Sequence, residues 1–349
     1  MIENSKRNLC PVLGIEQNET TRKLVCSLTS LLNAEKRCKR NVVYKNSVAR
    51  FDMLKLSKCY QLKTELDSGE YTTRIGSVFK IFEPKFRLVT STPIKDRVIQ
   101  SSFVTNYMYK YIIPTHIKNN CACTKGKGVE FARNLLKDFL RKANKNEYVL
   151  KLDLKDYFGS IIHDKLFDEL SRYFDVNSWE FWYFKNVINC NNQSKGIGLG
   201  SEIDQLSAVT FLSNIDHKIK GKYLRYMDDI VFIGTKDECL NTLALYKVEC
   251  AKLNILVSSK KTYIQPITQP ISFLGFTFLF HENKKPSLKR EKRKVNKEKR
   301  KLKRMVKLNV PLSRMKVHYQ SVRATYKKGC RSGVVKLDKY FREVQLCLL

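Results

Sequence analysis

Apolar and polar positions along the chain change period several times, and each change predicts an element. LVCSLTSLL (24–32) and FDMLKLSKCYQLKTEL (51–66) carry apolar residues at helical spacing, and Asp67-Ser68-Gly69 then breaks the pattern. SVFKIFEPKFRLVTS (77–91) alternates, which predicts an extended hairpin with Pro84 near its turn. KDRVIQSSFVTNYMYKYIIP (95–114) returns to helical spacing and stops before Pro114. EYVLKLDL (147–154) reads as a buried strand ending in acid, and Leu166, Phe167, Leu170, Tyr173 and Phe174 mark one face of a helix. KYLRYM (222–227) and IVFIG (230–234) read as two strands meeting at Asp228 and Asp229, and Thr235-Lys-Asp-Glu238 supplies a capping box for a following helix. PISFLGFTFLF (270–280) is another strand pair, bent at Gly275.

Between 284 and 307 the composition shifts to 14 Lys/Arg against two Glu. This stretch opens a basic helical module that continues to the C-terminus and bends near Pro311. Leu288, Val295, Leu302, Val306 and Leu308 supply its packing stripe. Taken in order, the elements give an α+β fold. The boundaries divide the chain into a basic helical region (1–70), a mixed region (71–282) and a basic helical region (283–349).

Composition sharpens this picture. The chain has 349 residues, 43% of them hydrophobic, enough for one large or two ordinary domains, and its net charge is +33. A charge of that size spread along the sequence points to a polyanionic partner, most simply nucleic acid. The apolar runs are too short to span a bilayer, and MIENSKRNLC has no secretory run, so the expectation is a cytoplasmic protein without membrane contact. The 11 cysteines are scattered, and Cys121-Ala-Cys123 lacks the spacing of a zinc site, which favours reduced thiols.

One stretch runs against the charge. LRYMDDIVFIG (224–234) places two acids between strand-forming runs. A polar turn would also hold adjacent aspartates. However, Asp153 ends another buried strand 75 residues earlier, and if the two strands are neighbours in one sheet, Asp153 and Asp228 converge. Converging carboxylates need a counter-charge, and two Mg²⁺ ions about 4 Å apart provide one suited to phosphoryl transfer. Hard oxygen donors fit Mg²⁺, with Mn²⁺ as a substitute.

Tyr226-Met227-Asp228-Asp229 resembles the YxDD box of reverse transcriptases. Asp153-Leu-Lys-Asp-Tyr-Phe158 resembles the family's first palm box, and Gly198-Leu-Gly-Ser-Glu-Ile-Asp-Gln205 its Gly-rich box. Lys261-Thr262 and Phe273-Leu-Gly-Phe276 resemble the later palm lysine and the primer-grip strand. Phe86-Arg87-Leu-Val and Lys95-Asp-Arg-Val-Ile-Gln100 resemble the fingers boxes of bacterial retroelement enzymes. GIGLGSEIDQ with RYMDD is nearest to unknown-group, defence-associated, diversity-generating and retron types. Two departures stand out: Pro-Gln-Gly is missing from the Gly-rich box, and Asp204 occupies a position where a small hydroxyl residue is usual.

The resemblance implies a right-hand polymerase with fingers, a palm with an antiparallel sheet and a helical thumb. It implies that Asp153, Asp228 and Asp229, with the Leu154 carbonyl, hold metal, and that Phe158 is a steric gate against the ribose 2′-hydroxyl. Lys80, Arg87 and Arg97 would hold the dNTP triphosphate, Gln205 and Gly200 would lie along the nascent base pair, and Lys261 would sit near the pyrophosphate. Tyr226, Met227, Phe273, Leu274 and Gly275 would support the primer end. Lys289, Arg290, Lys292, Arg293, Lys297, Arg300, Lys301 and Arg304 would meet nucleic-acid phosphates. The expected activity is RNA-directed DNA synthesis on an RNA template with a DNA primer or product, in a bacterial defence or retroelement setting. A structured noncoding RNA, a partner protein and an oligomer are compatible with it. Untemplated or protein-primed synthesis on the same palm is a competing reading, distinguished by DNA joined covalently to a tyrosine. A non-enzymatic nucleic-acid scaffold on a polymerase fold is another, and crowded carboxylates beside phosphate count against it.

Overall fold

The structure is a computed structural model, and it describes residues 15–82, 87–289, 292–327 and 331–346. Pro84, Phe86 and Arg290 lie outside the described residues, as do the side chains of Lys292 and Arg293. The described residues fold as two compact units: those within 1–128, 153–220 and 244–260 form the first, and those within 129–152, 221–243 and 261–349 the second.

The first unit begins with α1 (Ile15–Cys26), α2 (Leu28–Cys38), α3 (Asn46–Met53) and α4 (Lys55–Ser68). Each of the two expected helical runs is thus broken once. Ser27 leaves the helical region and accepts a hydrogen bond from Ser30 N as the N-cap of α2, and Leu54 separates α3 from α4. Gly69, at φ +78°, ends α4 in the left-handed conformation that glycine adopts without strain. β1 (Ser77–Ile81) and β2 (Arg87–Ser91) form the expected antiparallel hairpin. α5 (Ile94–Phe103) passes into a π-helix over Val104–Ile112, and Pro114 lies inside a closing 3₁₀ turn rather than beyond the helix.

The second unit starts with α6 (Val129–Lys142) and β3 (Tyr148–Leu152). The chain then returns to the first unit as α7 (Tyr157–Ser160), α8 (His163–Ser171), α9 (Trp179–Ile188), α10 (Glu202–Phe211) and α11 (Ser213–Lys218). Tyr173 and Phe174 lie past the end of α8, but Phe174 still joins an aromatic core, stacking on Tyr107 and Phe184 at 5.0 and 5.3 Å.

β4 (Lys222–Tyr226) and β5 (Asp229–Gly234) re-enter the second unit, α12 (Lys236–Lys252) follows, and β6 (Tyr263–Pro266) completes an antiparallel sheet in the order β4-β5-β3-β6. β3 and β5 are neighbours in this sheet, with Leu152 opposite Ile230. The capping box forms: Thr235 N donates to Glu238 at 2.7 Å, and Glu238 N donates to Thr235 Oγ1 at 3.2 Å. β7 (Ile271–Phe273), β8 (Phe276–Leu279) and β9 (Ser287–Lys289) make a second sheet. Residues 287–289, expected in the basic helix, are therefore a strand, held by pairing with β8.

α13 (Lys292–Lys307), α14 (Leu312–Lys327) and α15 (Arg331–Leu346) close the second unit around Leu302, Met315, Leu337 and Phe341. Val295 and Leu302, seven residues apart, are buried, whereas Leu308 is exposed past the helix end and Leu288 belongs to β9. Tyr319 stacks on Phe341 at 4.0 Å, and Arg323 grips Asp338 with two nitrogens. Among the described residues no helix is long and apolar enough to cross a membrane.

Candidate active site

In the second unit the acids sit on the tightest feature of the four-stranded sheet. Tyr226 pairs with Asp229, so the turn is Met227-Asp228 and Asp229 is the first residue of β5. Met227 takes φ +58°, a conformation that costs a side-chain-bearing residue about 1 kcal/mol or more. Arg225, fully buried, donates from Nη1 to the Met227 carbonyl at 3.2 Å and helps hold that conformation. Asp229 accepts a bond from Lys151 Nζ at 2.6 Å. Lys151, a buried residue of β3, also lies 5.0 Å from the centroid of the Phe273 ring. The primer-grip candidate Phe273 and the acid Asp229 are thereby brought to one lysine. Leu274 and Gly275 form the β7–β8 turn, and Arg133 of α6 donates to the Leu274 carbonyl at 2.6 Å while lying over the Phe276 ring. Sequence patterning does not single out Lys151, Arg225 or Arg133. For Lys151 a signal existed, a charge inside the apolar run YVLKL.

In the first unit Asp153 is buried, and its carbonyl accepts from Ser258 N at 2.8 Å; Lys155 N donates to Leu256 O at 2.8 Å. Leu154 bridges Val257 between these two bonds. Backbone groups alternate sides along an extended segment, so this pairing leaves out the Leu154 carbonyl, which faces the opposite edge. Among the described residues no group of three or more His, Cys, Asp or Glu side chains could hold a metal ion by itself. Two carboxylates and a carbonyl are nevertheless hard oxygen donors of the kind that suits Mg²⁺, an ion that keeps positions for water and phosphate.

The family model for reverse transcriptase (RNA-dependent DNA polymerase) matches residues 80–278, more than half of the chain. The chain belongs to the reverse transcriptase family. Its α+β architecture with antiparallel sheets is the right-hand polymerase fold of that family. No curated protein matches the chain. Among solved structures it is similar to apo telomerase from Candida tropicalis, at 12% identity and a TM-score of 0.47, with 79% of this chain and 58% of that chain covered. It is also similar to the same telomerase truncated from its C-terminal domain, at 14% identity and a TM-score of 0.44, with 62% and 55% covered. The chain thus spans little more than half the length of these two structures.

The remaining reverse transcriptase positions fall in separate places. Lys80 pairs with Leu88 and Arg87 with Ile81, so the two cations lie on opposite faces of the β1–β2 hairpin, both exposed. Arg97 donates to the Cys38 carbonyl at 3.0 Å and, with Gln205 and Gly200, lines a cavity of about 390 Å³ that also receives Arg37 and Lys125. Phe158 is partly buried with its ring edge on Tyr157. Lys261 is exposed just before β6. Lys289 is exposed on β9, and Lys297, Arg300, Lys301 and Arg304 line the exposed side of α13.

The departure at Asp204 has a structural role. Its buried carboxyl accepts from the Gly198 backbone and bonds the Ser201 side chain, and burial pushes its pKa up to about 8. Those two bonds tie down the Gly-rich turn. A Cβ on Gly200 would stand 1.8 Å from the Thr90 carbonyl, so only glycine lets this turn lie against β2.

Proposed function

We propose that this chain is an RNA-directed DNA polymerase that adds dNTPs to a primer 3′-OH on an RNA template, releasing pyrophosphate, with Asp153, Asp228 and the Leu154 carbonyl holding two Mg²⁺ ions. The reading rests above all on the register of β3 against β5. Leu152 pairs with Ile230; Asp153 is the next residue after Leu152, and Asp228 precedes Ile230 by two. Bound there, the ions would supply charge neutralisation at the α-phosphate and a lowered pKa at the primer hydroxyl.

The chain's own residues do the rest. Asp229, neutralised by Lys151, braces the turn and is the weakest metal donor of the three acids. Phe158 fills the space of a ribose 2′-hydroxyl, and Arg97 offsets triphosphate charge with whichever of Lys80 and Arg87, on opposite faces of their hairpin, faces the dNTP. Gln205 and Gly200 lie along the nascent pair, and Lys261 gives a proton to the leaving pyrophosphate. Tyr226, Met227, Phe273, Leu274 and Gly275 support the primer end. Residues 71–282 act as fingers and palm and 283–349 as the thumb. There Lys289, Arg290, Lys292, Arg293, Lys297, Arg300, Lys301 and Arg304 contact phosphates and make binding salt-dependent. The setting is a bacterial cytoplasm, with a dedicated noncoding RNA serving defence or a retroelement.

Primer extension on an RNA template tests this directly. Asp153→Asn and Asp228→Asn are each expected to lower incorporation at least about a thousandfold, ~4 kcal/mol of barrier, while primer–template binding survives. Synthesis retained by either variant, or product unrelated in sequence to the template, would sink the proposal.

A further inference from the structure

Resting on the reading of Phe158 as the sugar gate, we propose that His163 is a positioning residue for sugar selection. It holds residues 194–197 in place, and through them the Phe158 backbone, where the ring rejects a ribose. Phe158 has little local structure to fix it. It sits in α7, a helix of four residues entered from Asp156 at φ +44°, a left-handed start that costs a side-chain-bearing residue energy. A single helical turn is not stable by itself. One anchor is the buried Tyr157, whose hydroxyl donates to the Ala208 carbonyl of α10. The other is the segment 194–197, which forms no helix or strand of its own. Ile197 N donates to the Phe158 carbonyl at 3.0 Å, Gly196 N to the Ile161 carbonyl at 2.7 Å and His163 N to the Ser194 carbonyl at 2.9 Å, with Ile162 bridging Lys195.

The His163 side chain fixes that segment from α8. It is buried, with both ring nitrogens engaged: Nε2 lies 2.8 Å from the Gly196 carbonyl and Nδ1 2.8 Å from the Asn189 side-chain amide. A carbonyl only accepts, so Nε2 carries a proton and donates it to Gly196. Asn189, just past the end of α9, sets the orientation of the ring. Gly196 takes φ +86°, and a Cβ on it would stand 3.5 Å from the carbonyl of Gly159, the residue after Phe158. A run of contacts therefore leads from Asn189 through His163 and Gly196 to the Ile197 amide and Phe158. The segment's far end is secured separately, by the bond from Gly198 to Asp204. A gate discriminates by contact with one oxygen atom, so a ring displaced by about 1 Å admits it.

Single-nucleotide incorporation by the full chain, on an RNA template with a DNA primer and with dNTP and rNTP each titrated, gives the ratio of their kcat/KM values. His163→Ala is expected to lower the preference for dNTP at least about tenfold, mainly by raising rNTP use, and Phe158→Ala to lower it further. Because His163 acts through the gate, adding His163→Ala to Phe158→Ala is expected to change the ratio no more. His163→Gln, whose amide can donate to the Gly196 carbonyl, is expected to keep the parent ratio. Asn189 is exposed, so its replacement spares the core. Asn189→Ala is expected to lower the preference in the same direction but by less, which keeps the test available if His163→Ala fails to fold. An unchanged ratio in folded His163→Ala, or in Asn189→Ala where the first variant does not fold, overturns the proposal. So does an equal loss of dNTP and rNTP use, a further fall in the Phe158→Ala background, or a lowered preference in His163→Gln. Those outcomes leave the polymerase reading standing. An unchanged ratio in Phe158→Ala removes the gate and with it the role given to His163, and a parent that incorporates neither nucleotide ends the polymerase reading and this one together.

Discussion

The β4–β5 and β7–β8 hairpins are closed by the same device and used differently. Each has a two-residue turn whose first residue is left-handed, Met227 at φ +58° and Leu274 at φ +43°. Each has an arginine donating to that residue's carbonyl, Arg225 in one and Arg133 in the other. The difference lies in the second turn residue and in the origin of the arginine. Asp228 carries charge where Gly275, at φ +82°, carries none. Arg225 comes from the hairpin's own strand and is fully buried, whereas Arg133 reaches across from α6. The backbone device therefore supplies a rigid tip, and side-chain identity decides whether the tip presents a carboxylate or an uncharged surface. Lys151 touches both hairpins, through Asp229 and Phe273.

The largest effect should separate the two arginines. Arg225→Ala empties a fully buried site and is expected to cost about 3–5 kcal/mol in chemical denaturation, against about 1–3 kcal/mol for Arg133→Ala, which removes a charge-assisted bond and a cation–ring interaction. Equal costs would mean that the two tips are secured alike and would break the comparison. Next is Lys151→Met. Asp229 is one-third exposed, so solvent screens the pair, and a double-mutant cycle with Asp229→Asn should give a coupling of about 1 kcal/mol. A coupling of zero would remove Lys151 as the link between the hairpins. The smallest pair has opposite signs. Gly275→Ala should destabilise by about 1 kcal/mol, because its φ disfavours a Cβ, and Met227→Gly should stabilise by up to that amount in thermal melts. The same sign for both would contradict the strain assigned to Met227.

Sequence patterning made the hairpins, the palm strands and the Thr235–Glu238 cap legible, because period, turn residues and capping chemistry are local properties. It did not reveal what holds the tips. Arg225 is one more charge within the strand KYLRYM; it is buried, and its bond to Met227 goes to a backbone carbonyl that leaves no mark in sequence. Arg133 acts over 141 positions of chain. The break at Ser27 was hidden because the apolar spacing continues across it, and β9 was hidden by the lysines around it. Asp204 was visible as a departure, but its raised pKa follows from burial.

The central claim is that Asp153 and Asp228 hold the same ions. Mn²⁺ titration followed by electron paramagnetic resonance, with primer–template and dNTP present, measures it. Asp153→Asn and Asp228→Asn are each expected to release the same bound Mn²⁺ that the parent retains, while Asp229→Asn keeps most of it. If either of the first two variants binds Mn²⁺ as the parent does, the shared site does not exist.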